Sequence, residues 1–269
     1  MDNKLSIIIP TMQKNTTIFD MLVSQLVKDD TIGEIIIIDN SLKGYSFDSE
    51  KVFVHIPKEN MYVNPSWNYG VQLAKFNYIG ILNDDVLIPN NLCSEVLNFL
   101  KKTENVGLVG IESSSVINKN DKEFNSYPNC TTQIKFKNLN NIRENKNYYW
   151  GSAIFGPKEN FYQIPEKILV YCGDDYYLLM NTKNGKQNYA FYNTSIFHCH
   201  SLTSASPEFS KIKKNDMKIY SKFDPEFKKY LQLKRFSKFI QQIFSVKNAK
   251  HKSHKILTIL GIKIKLKRK

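Results

Sequence analysis

The sequence EIIIID at residues 34–39 is a run of four isoleucines that ends in an acidic residue. β-Branched residues favour strands, and a run that is apolar on both faces suits a strand covered on both sides. Similar runs occur at residues 5–10 and 78–82, and helical apolar spacing lies between them, as in residues 18–27. The alternation predicts an α/β fold with a mostly parallel central sheet flanked by helices.

The same patterns continue along the chain. Residues 113–147 are polar and rich in Asn, and we expect antiparallel strands within them. Elsewhere the patterns predict strands at residues 51–56, 107–112 and 189–197 and helices at residues 66–75, 91–102 and 174–180.

Polar residues follow three of the predicted strands. They are Thr11, Asp39 with Asn40, and Asn83 with Asp84 and Asp85. Ligands of open α/β sheets bind beyond the carboxyl ends of the strands, so these residues are candidates for a binding site.

Asp84 and Asp85 are adjacent carboxylates, which repel each other unless a cation or hydrogen-bond donors compensate. A hard divalent cation with oxygen ligands supplies that compensation. The alternative is a turn with capping acids ahead of Pro89, because Asp and Asn are favoured in turns. Neither reading is decided by these two residues alone.

Three further sites, made of five residues, each have a functional and a structural interpretation. His198 and His200 point to one face of an extended segment and could reach one metal ion, or they could be ordinary strand-end residues. Asp174 and Asp175 could supply a general base or merely stabilise a helix N-terminus. Trp150 could stack on a sugar ring or belong to the core.

Neither a GxxxxGK[ST] loop nor a GxGxxG motif occurs in the sequence, so phosphate binding would depend on a metal and side chains. Seven short motifs do occur in order, and together they resemble the family 2 glycosyltransferases with the GT-A fold, over roughly residues 4–204. The motifs are Ser6–Thr11, Ile37–Ser41, Asn68–Gly70, Ile81–Asp85, Trp150–Ser152, Gly173–Leu178 and His198–Thr203.

The resemblance implies a GT-A catalytic domain at residues 1–204, with a nucleotide-binding half at about 1–112 and an acceptor-binding half at 113–204. It implies an inverting, metal-dependent transfer from a nucleotide-sugar, with UDP-sugars the usual donors, to a saccharide hydroxyl. The composition is similar to that of bacterial lipooligosaccharide and capsule enzymes.

Individual roles also follow from the resemblance. Asp175, with Asp174 beside it, would be the base, and Trp150 with Gly151 would meet the acceptor. Asp85 takes the place of the last acid of the DXD motif and would bind Mn²⁺ or Mg²⁺ with His198 or His200. The donor contacts would come from Pro10, Thr11, Asp39, Asn40, Asn68, Asn83 and Asp84.

Two positions depart from the family pattern. The family commonly has Asp-Asp-Gly-Ser where this chain has Asp39-Asn40-Ser41, and Asn83 replaces the first acid of DXD. The second change removes a negative charge from the expected metal site.

The net charge of +13 is concentrated at one end of the chain. Residues 205–269 hold 19 of the 38 Lys and Arg residues but 4 of the 25 Asp and Glu residues. From residue 223 onward, apolar residues recur at spacings of three or four between the cations. We predict a basic amphipathic helical tail that binds an anionic membrane surface rather than nucleic acid, or packs on the catalytic domain.

Two rival functions suit parts of the pattern. A nucleotidyltransferase would also use paired acids and a metal, but would usually carry a basic, Gly-rich loop after the first strand, where this chain has Thr11-Met12-Gln13. A nucleic-acid-binding protein would explain the basic tail but not the acids at the strand ends.

The remaining composition bears on location. The four cysteines are widely spaced, which favours neither a disulfide framework nor a structural zinc site. No signal peptide and no spanning segment is evident. We therefore predict a cytoplasmic protein, peripheral on the inner face of the cytoplasmic membrane.

Overall fold

The computed structural model describes residues 4–129, 133–139, 150–199, 207–248, 254–259 and 262–267. The chain divides into two compact units, Met1–Met217 and Lys218–Lys269. The predicted domain boundary, between residues 204 and 205, lies outside the described residues and stays a prediction.

The first unit alternates strands and helices, as the sequence predicts. In chain order the elements are β1 (Leu5–Thr11), α1 (Thr16–Val27), β2 (Ile32–Asp39), β3 (Val52–His55), α2 (Val63–Leu73), β4 (Tyr78–Leu82), β5 (Val86–Leu87), α3 (Leu92–Lys102), β6 (Val106–Ile111), β7 (Val116–Lys119), β8 (Lys135–Asn138), β9 (Ala153–Pro157), α4 (Gly173–Lys183), β10 (Gln187–Tyr192), β11 (Ile196–Cys199) and α5 (Pro207–Tyr220), which begins in this unit.

The main sheet has eight strands in the order β3-β2-β1-β4-β9-β6-β10-β8. Strand β9 is antiparallel to both of its neighbours, and β8 is antiparallel to β10. All other pairings are parallel. The prediction of a mostly parallel sheet flanked by helices is confirmed.

The central strands are buried because helices cover the sheet. The isoleucines of β1 and β2 are at most 2% exposed. Helix α1 begins after Asn15, whose side-chain oxygen accepts a hydrogen bond from Ile18 N at 3.1 Å. Helix α2 approaches β1 through Gly70, where a Cβ atom would lie 2.4 Å from Ile8. This close packing sets the distance between α2 and β1.

The predicted strand at residues 189–197 is two strands. Asn193 has φ of 61°, a conformation that Asn tolerates better than most residues, and it separates β10 from β11. Strand β11 leaves the main sheet and lies between β5 and β7 in a second, three-stranded sheet. The break brings the end of β11 to the segment that follows β4.

The second unit contains α6 (Pro225–Ile243), followed by β12 (Phe244–Asn248), β13 (His254–Ile259) and β14 (Ile262–Lys267) in an antiparallel sheet. The last part of the predicted helical tail is therefore strand. The alternation IKIKLK at residues 262–267 has the period of two that suits a strand. In the described part of the chain, no helix has the length and apolarity needed to cross a membrane.

Gly110 of β6 allows a test of the core, because the indole of Trp150 lies directly over it. A Cβ atom at position 110 would lie 2.3 Å from the ring, which is fully buried. We expect Gly110→Ala to lower the free energy of unfolding by about 1–3 kcal/mol through overpacking. Urea unfolding followed by tryptophan fluorescence measures this, since both tryptophans lie in the first unit.

Gly151→Ala is the matched control. Its Cβ atom would lie 3.6 Å from the Asp174 carboxylate, an ordinary contact distance. We expect a change within about 0.5 kcal/mol. An equal loss in the two variants would contradict the overpacking argument.

Candidate functional site

A cleft of about 540 Å³ opens at the carboxyl edge of the main sheet. Six of the residues predicted from the sequence line it: Pro10, Thr11, Asn40, Asn83, Asp84 and Asp85. The other lining residues are Met12, Lys14, Asn15, Asn60, Tyr62, Val63, Val170, Tyr171, Glu208 and Phe209. The strand-end rule therefore locates this cleft.

Asp84 joins the ends of β1 and β4. Its Oδ2 accepts a hydrogen bond from Thr11 Oγ1 at 2.6 Å and a second from Met12 N at 3.2 Å. Burial raises the pKa of the Asp84 carboxyl, and the two hydrogen bonds oppose that change. The contacts hold the carboxylate in place where it lines the cleft.

Asp85 lies beside it in a less compensated environment. Burial, and then the neighbouring charge of Asp84, raise the pKa of Asp85 to about 8, while a hydrogen bond from the Asn83 side chain lowers it. Asp85 Oδ1 is buried without a hydrogen-bond partner. It lies 3.5 Å from Nε2 of His198. Asn83, at the first DXD position, thus supports Asp85.

His198 reaches Asp85 because β11 pairs with β5, and Cys199 N donates to Asp85 O at 2.8 Å. On the other side of the ring, His198 Nδ1 lies 3.1 Å from Asn118 Oδ1. An amide oxygen only accepts, so Nδ1 donates and Nε2 faces Asp85. A histidine held in this way at its second nitrogen is typical of metal ligands.

These residues do not complete a metal site by themselves. Within the described ranges, no group of three or more His, Cys, Asp or Glu side chains is placed to hold a metal ion. A cation between Asp85 and His198 would take its remaining ligands from phosphate or water, as Mg²⁺ commonly does. His200 lies outside the described residues.

Asp39 is fully buried and organises the turn after β2. Its Oδ1 accepts hydrogen bonds from the Ser41 amide and hydroxyl, at 3.0 and 2.6 Å. Its Oδ2 accepts from Gly44 N at 2.9 Å and from the Gln13 side chain at 2.8 Å. Asp39 does not line the cleft, and a ring N–H could reach it only by replacing one of these donors.

The side chain of Asn68 also has a structural role. Its side-chain amide donates to Ile164 O at 2.8 Å and accepts from Ile164 N at 2.9 Å. The two bonds tie α2 to the segment before α4. Asn68 is not among the residues that line the cleft.

Tyr62 is a lining residue that the sequence did not indicate. It has φ of 64° and ψ of −178°, a region that essentially only glycine adopts without strain. Tyr62 N donates to Asn60 Oδ1 at 2.8 Å, and Ser66 Oγ donates to Tyr62 O at 2.5 Å. Asn40 supports the same loop, donating to Ser66 Oγ and accepting from Met61 N, both at 2.9 Å.

Asp174 and Asp175 lie in the first turn of α4 and do not line the cleft. The half-buried Asp174 carboxylate accepts from Asp175 N at 3.0 Å and from the Gly151 amide, while burial raises the pKa of Asp174. Val170 and Tyr171, shortly before this turn, do line the cleft. The acid pair therefore adjoins the cleft along the chain.

The predicted role of Trp150 is not supported. Its ring is fully buried on Gly110, and neither Trp150 nor Gly151 lines the cleft. A buried ring offers no stacking surface, so the core interpretation of Trp150 holds.

Comparison with known proteins gives a likeness of fold. No family model and no curated protein sequence matches the chain. Crystal structures of S. aureus TarS 1–349, and of TarS 1–349 in complex with UDP-GlcNAc, have similar folds. The first has a TM-score of 0.50 and 14% identity, covering 73% of this chain and 60% of the TarS 1–349 chain. The complex has a TM-score of 0.53 and 12% identity, covering 80% of this chain and 65% of the TarS 1–349 chain.

The chain thus spans less than two thirds of each TarS chain. At these identities the likeness shows the fold alone. It agrees with the α/β fold and mostly parallel sheet that the sequence predicts.

The strain at Tyr62 can be measured by comparing two substitutions. We expect Tyr62→Gly to have a free energy of unfolding about 1–2 kcal/mol higher than Tyr62→Ala, because glycine adopts the observed backbone conformation without a Cβ penalty. Both variants lose the ring, so the difference isolates the backbone. Urea unfolding is the measurement.

Tyr69, inside α2, provides the control pair. In a helix interior the order reverses, and alanine is the more stable by about 1 kcal/mol. The same order at both positions would show that Tyr62 is not strained.

Proposed function

We propose that this protein is an inverting, metal-dependent glycosyltransferase that moves a sugar from a nucleotide-sugar, with UDP-sugars the first choice, to a hydroxyl group of a saccharide in bacterial surface-glycan synthesis, such as that of lipooligosaccharide or capsule. The observation that carries the proposal is the placement of Asp84, Asp85 and His198 together beside a cleft at the strand ends.

The cleft suits a nucleotide-sugar in position and size. Pockets for small ligands commonly measure 300–1,000 Å³, and this one measures about 540 Å³. The fold is similar to that of a protein crystallised with UDP-GlcNAc, which favours a UDP-sugar as the donor. Thr11, Asn40 and Asp84 would contact it.

Asp85 and His198 would hold the divalent cation, Mn²⁺ or Mg²⁺. The fit rests on Asp85 Oδ1, buried without a hydrogen-bond partner, and on the His198 nitrogen that faces it. Burial, and then the charge of Asp84, raise the pKa of Asp85, and a bound cation would oppose both effects. When bound, a divalent cation supplies Lewis-acid neutralisation of a leaving diphosphate.

Asp175 would act as the general base. Its carboxylate would take the proton of the acceptor hydroxyl as that oxygen attacks the anomeric carbon from the face opposite the diphosphate. Asp174 accepts a hydrogen bond from Asp175 N and from Gly151, and so orients this first turn. One base and a single displacement give inversion.

An anionic membrane surface would be the second partner. Tyr230, Leu233 and Phe236 of α6 recur every three residues and are 51%, 59% and 62% exposed. Lys228 and Lys229, on the same helix, are exposed as well. Exposed apolar residues beside cations favour binding at an anionic interface.

The donor reaction is tested by nucleotide release from a panel of UDP-, GDP- and CMP-sugars, with Mn²⁺ and with chelator. We expect Mn²⁺-dependent UDP release, and a loss of about 10²–10⁴-fold in turnover for Asp175→Asn with UDP affinity retained. Asp85→Ala should weaken UDP binding in Mn²⁺ and leave little metal dependence. Asp48→Asn, an exposed acid outside the cleft, is the control.

Failure of every nucleotide-sugar to bind or turn over would refute the proposed function. Full transfer by Asp175→Asn would instead remove only the assignment of the base.

The membrane partner is tested in the full chain. We expect the combined Tyr230→Ser, Leu233→Ser and Phe236→Ser variant to bind phosphatidylglycerol vesicles about tenfold or more weakly in sedimentation, because three apolar contacts are lost. Phe53→Ser, an exposed phenylalanine of β3, is the control. Unchanged sedimentation of the triple variant would rule out this helix as the binding surface.

A further inference from the structure

Part of the cleft is built by residues outside the strand ends. Val170 and Tyr171 come from the segment before α4, and Glu208 and Phe209 come from the first turn of α5. None of the four was among the sequence-based candidates. We call them the α5 wall.

Asp216 of α5 forms hydrogen bonds that hold the α5 wall in place. The carboxylate is fully buried and accepts three backbone hydrogen bonds from consecutive residues: from Leu169 N at 3.2 Å, Val170 N at 2.9 Å and Tyr171 N at 3.0 Å. A buried carboxylate with three N–H donors holds a loop firmly, because each bond to an ionised group is stronger than a neutral one. These bonds therefore hold helix α5 against the loop at residues 169–171.

Helix α2 holds the same loop from another direction. Asn64 N donates to Leu169 O at 2.9 Å, and the Asn64 side chain donates to Ile168 O at 3.1 Å and Tyr171 O at 3.4 Å. The ammonium group of Lys213 lies 5.1 Å from the centre of the Tyr171 ring. Tyr171 is thus supported by both α2 and α5.

The wall adjoins the acid pair. Cys172 directly follows Tyr171, has φ of 63°, and is the N-cap of α4. The pKa of its thiol is raised by burial and then by the charges of Asp175, Asp174 and Asp216. Asp174 and Asp175 follow it by two and three residues. A ligand lying on the wall would be next to the proposed base.

We propose that Val170, Tyr171, Glu208 and Phe209 form the acceptor-binding side of the cleft and that the acceptor they bind is a saccharide. The proposal rests on the proposed function, which assigns the strand ends to the donor. Aromatic rings such as Tyr171 and Phe209 pack against the apolar faces of sugar rings, and the Glu208 carboxylate accepts hydrogen bonds from hydroxyl groups. Asp216 is a positioning residue for this wall.

Binding of simple glycosides to the full chain tests the wall. The probes are methyl β-D-glucopyranoside and methyl N-acetyl-β-D-glucosaminide, observed by saturation-transfer NMR in the presence of UDP and Mn²⁺. We expect both to bind, and Tyr171→Ala and Phe209→Ala to weaken binding about tenfold. Glu208→Gln, at an exposed position where folding is not at risk, should weaken it about threefold or more. Phe53→Ala is the control.

The positioning role is tested with Asp216→Asn. An amide presents only one acceptor oxygen, so it cannot reproduce the three bonds. We expect weaker glycoside binding with unchanged UDP binding. The control is Asp224→Asn, since the buried Asp224 carboxylate accepts two backbone bonds at Oδ1 alone, from Glu226 N at 3.1 Å and Phe227 N at 3.0 Å, and an amide oxygen can keep both.

Two results would contradict the proposal that the α5 wall binds a saccharide. One is that neither glycoside binds to the unaltered chain, and the other is that Tyr171→Ala, Phe209→Ala and Phe53→Ala bind the glycosides equally well. A fall in UDP binding as large as the fall in glycoside binding in Asp216→Asn would overturn its positioning role. UDP binding in the same samples tests the proposed function separately. If the chain binds no nucleotide but binds glycosides in a way that depends on Phe209, the proposed saccharide site stands. The proposed nucleotide-sugar donor is then refuted.

Discussion

The parallel register of β1 with β4 is the constraint on which the cleft depends. Leu5 pairs with Tyr78 and Ile8 with Ile81, and the same offset continued past β4 places Thr11 beside Asp84. The hydrogen bond from Thr11 Oγ1 to Asp84 Oδ2 is the result, and it closes the strand ends across 73 positions of the chain. Because β2 runs parallel on the other side of β1, Asp39 arrives at the same level. A one-residue slip of β4 would exchange the faces of its side chains and separate Thr11 from Asp84.

That arrangement is electrostatically unfavourable, because it buries two neighbouring carboxylates. Two adjacent carboxylates sit where burial removes water, and their pKa values rise because few donors replace it. His198 Nε2 lies 3.5 Å from Asp85 Oδ1, although the two residues are far apart in the chain. The break between β10 and β11 at Asn193 makes this approach possible, because it lets β11 pair with β5 and β7. The second small sheet thus has a clear consequence for the site.

Helix α5 has the basic composition of the tail, but a buried acid within it contacts a distant part of the first unit. Residues 207–220 share the basic character of the tail, and charge alone assigns them to it. Yet the compact first unit extends to Met217, and the buried Asp216 binds the backbone of residues 169–171. An acid within a basic segment was the available signal, but nothing in the sequence shows which distant amides it meets. The proposed acceptor side of the cleft depends on that contact.

The sequence by itself determined the fold class and the edge at which a site would lie, because both follow from local rules: apolar runs on both faces make buried parallel strands, and their carboxyl ends share one edge. It also placed Thr11, Asn40 and Asp84 in the cleft. Only the tertiary structure decided that Trp150 is core, that Asp39 and Asn68 are engaged by backbone and neighbouring side chains, and that Tyr62, Tyr171 and Phe209 line the cleft. These outcomes depend on contacts between residues far apart in the chain, such as Trp150 over Gly110 and Asp216 with Tyr171 N, and periodicity carries no information about such pairs.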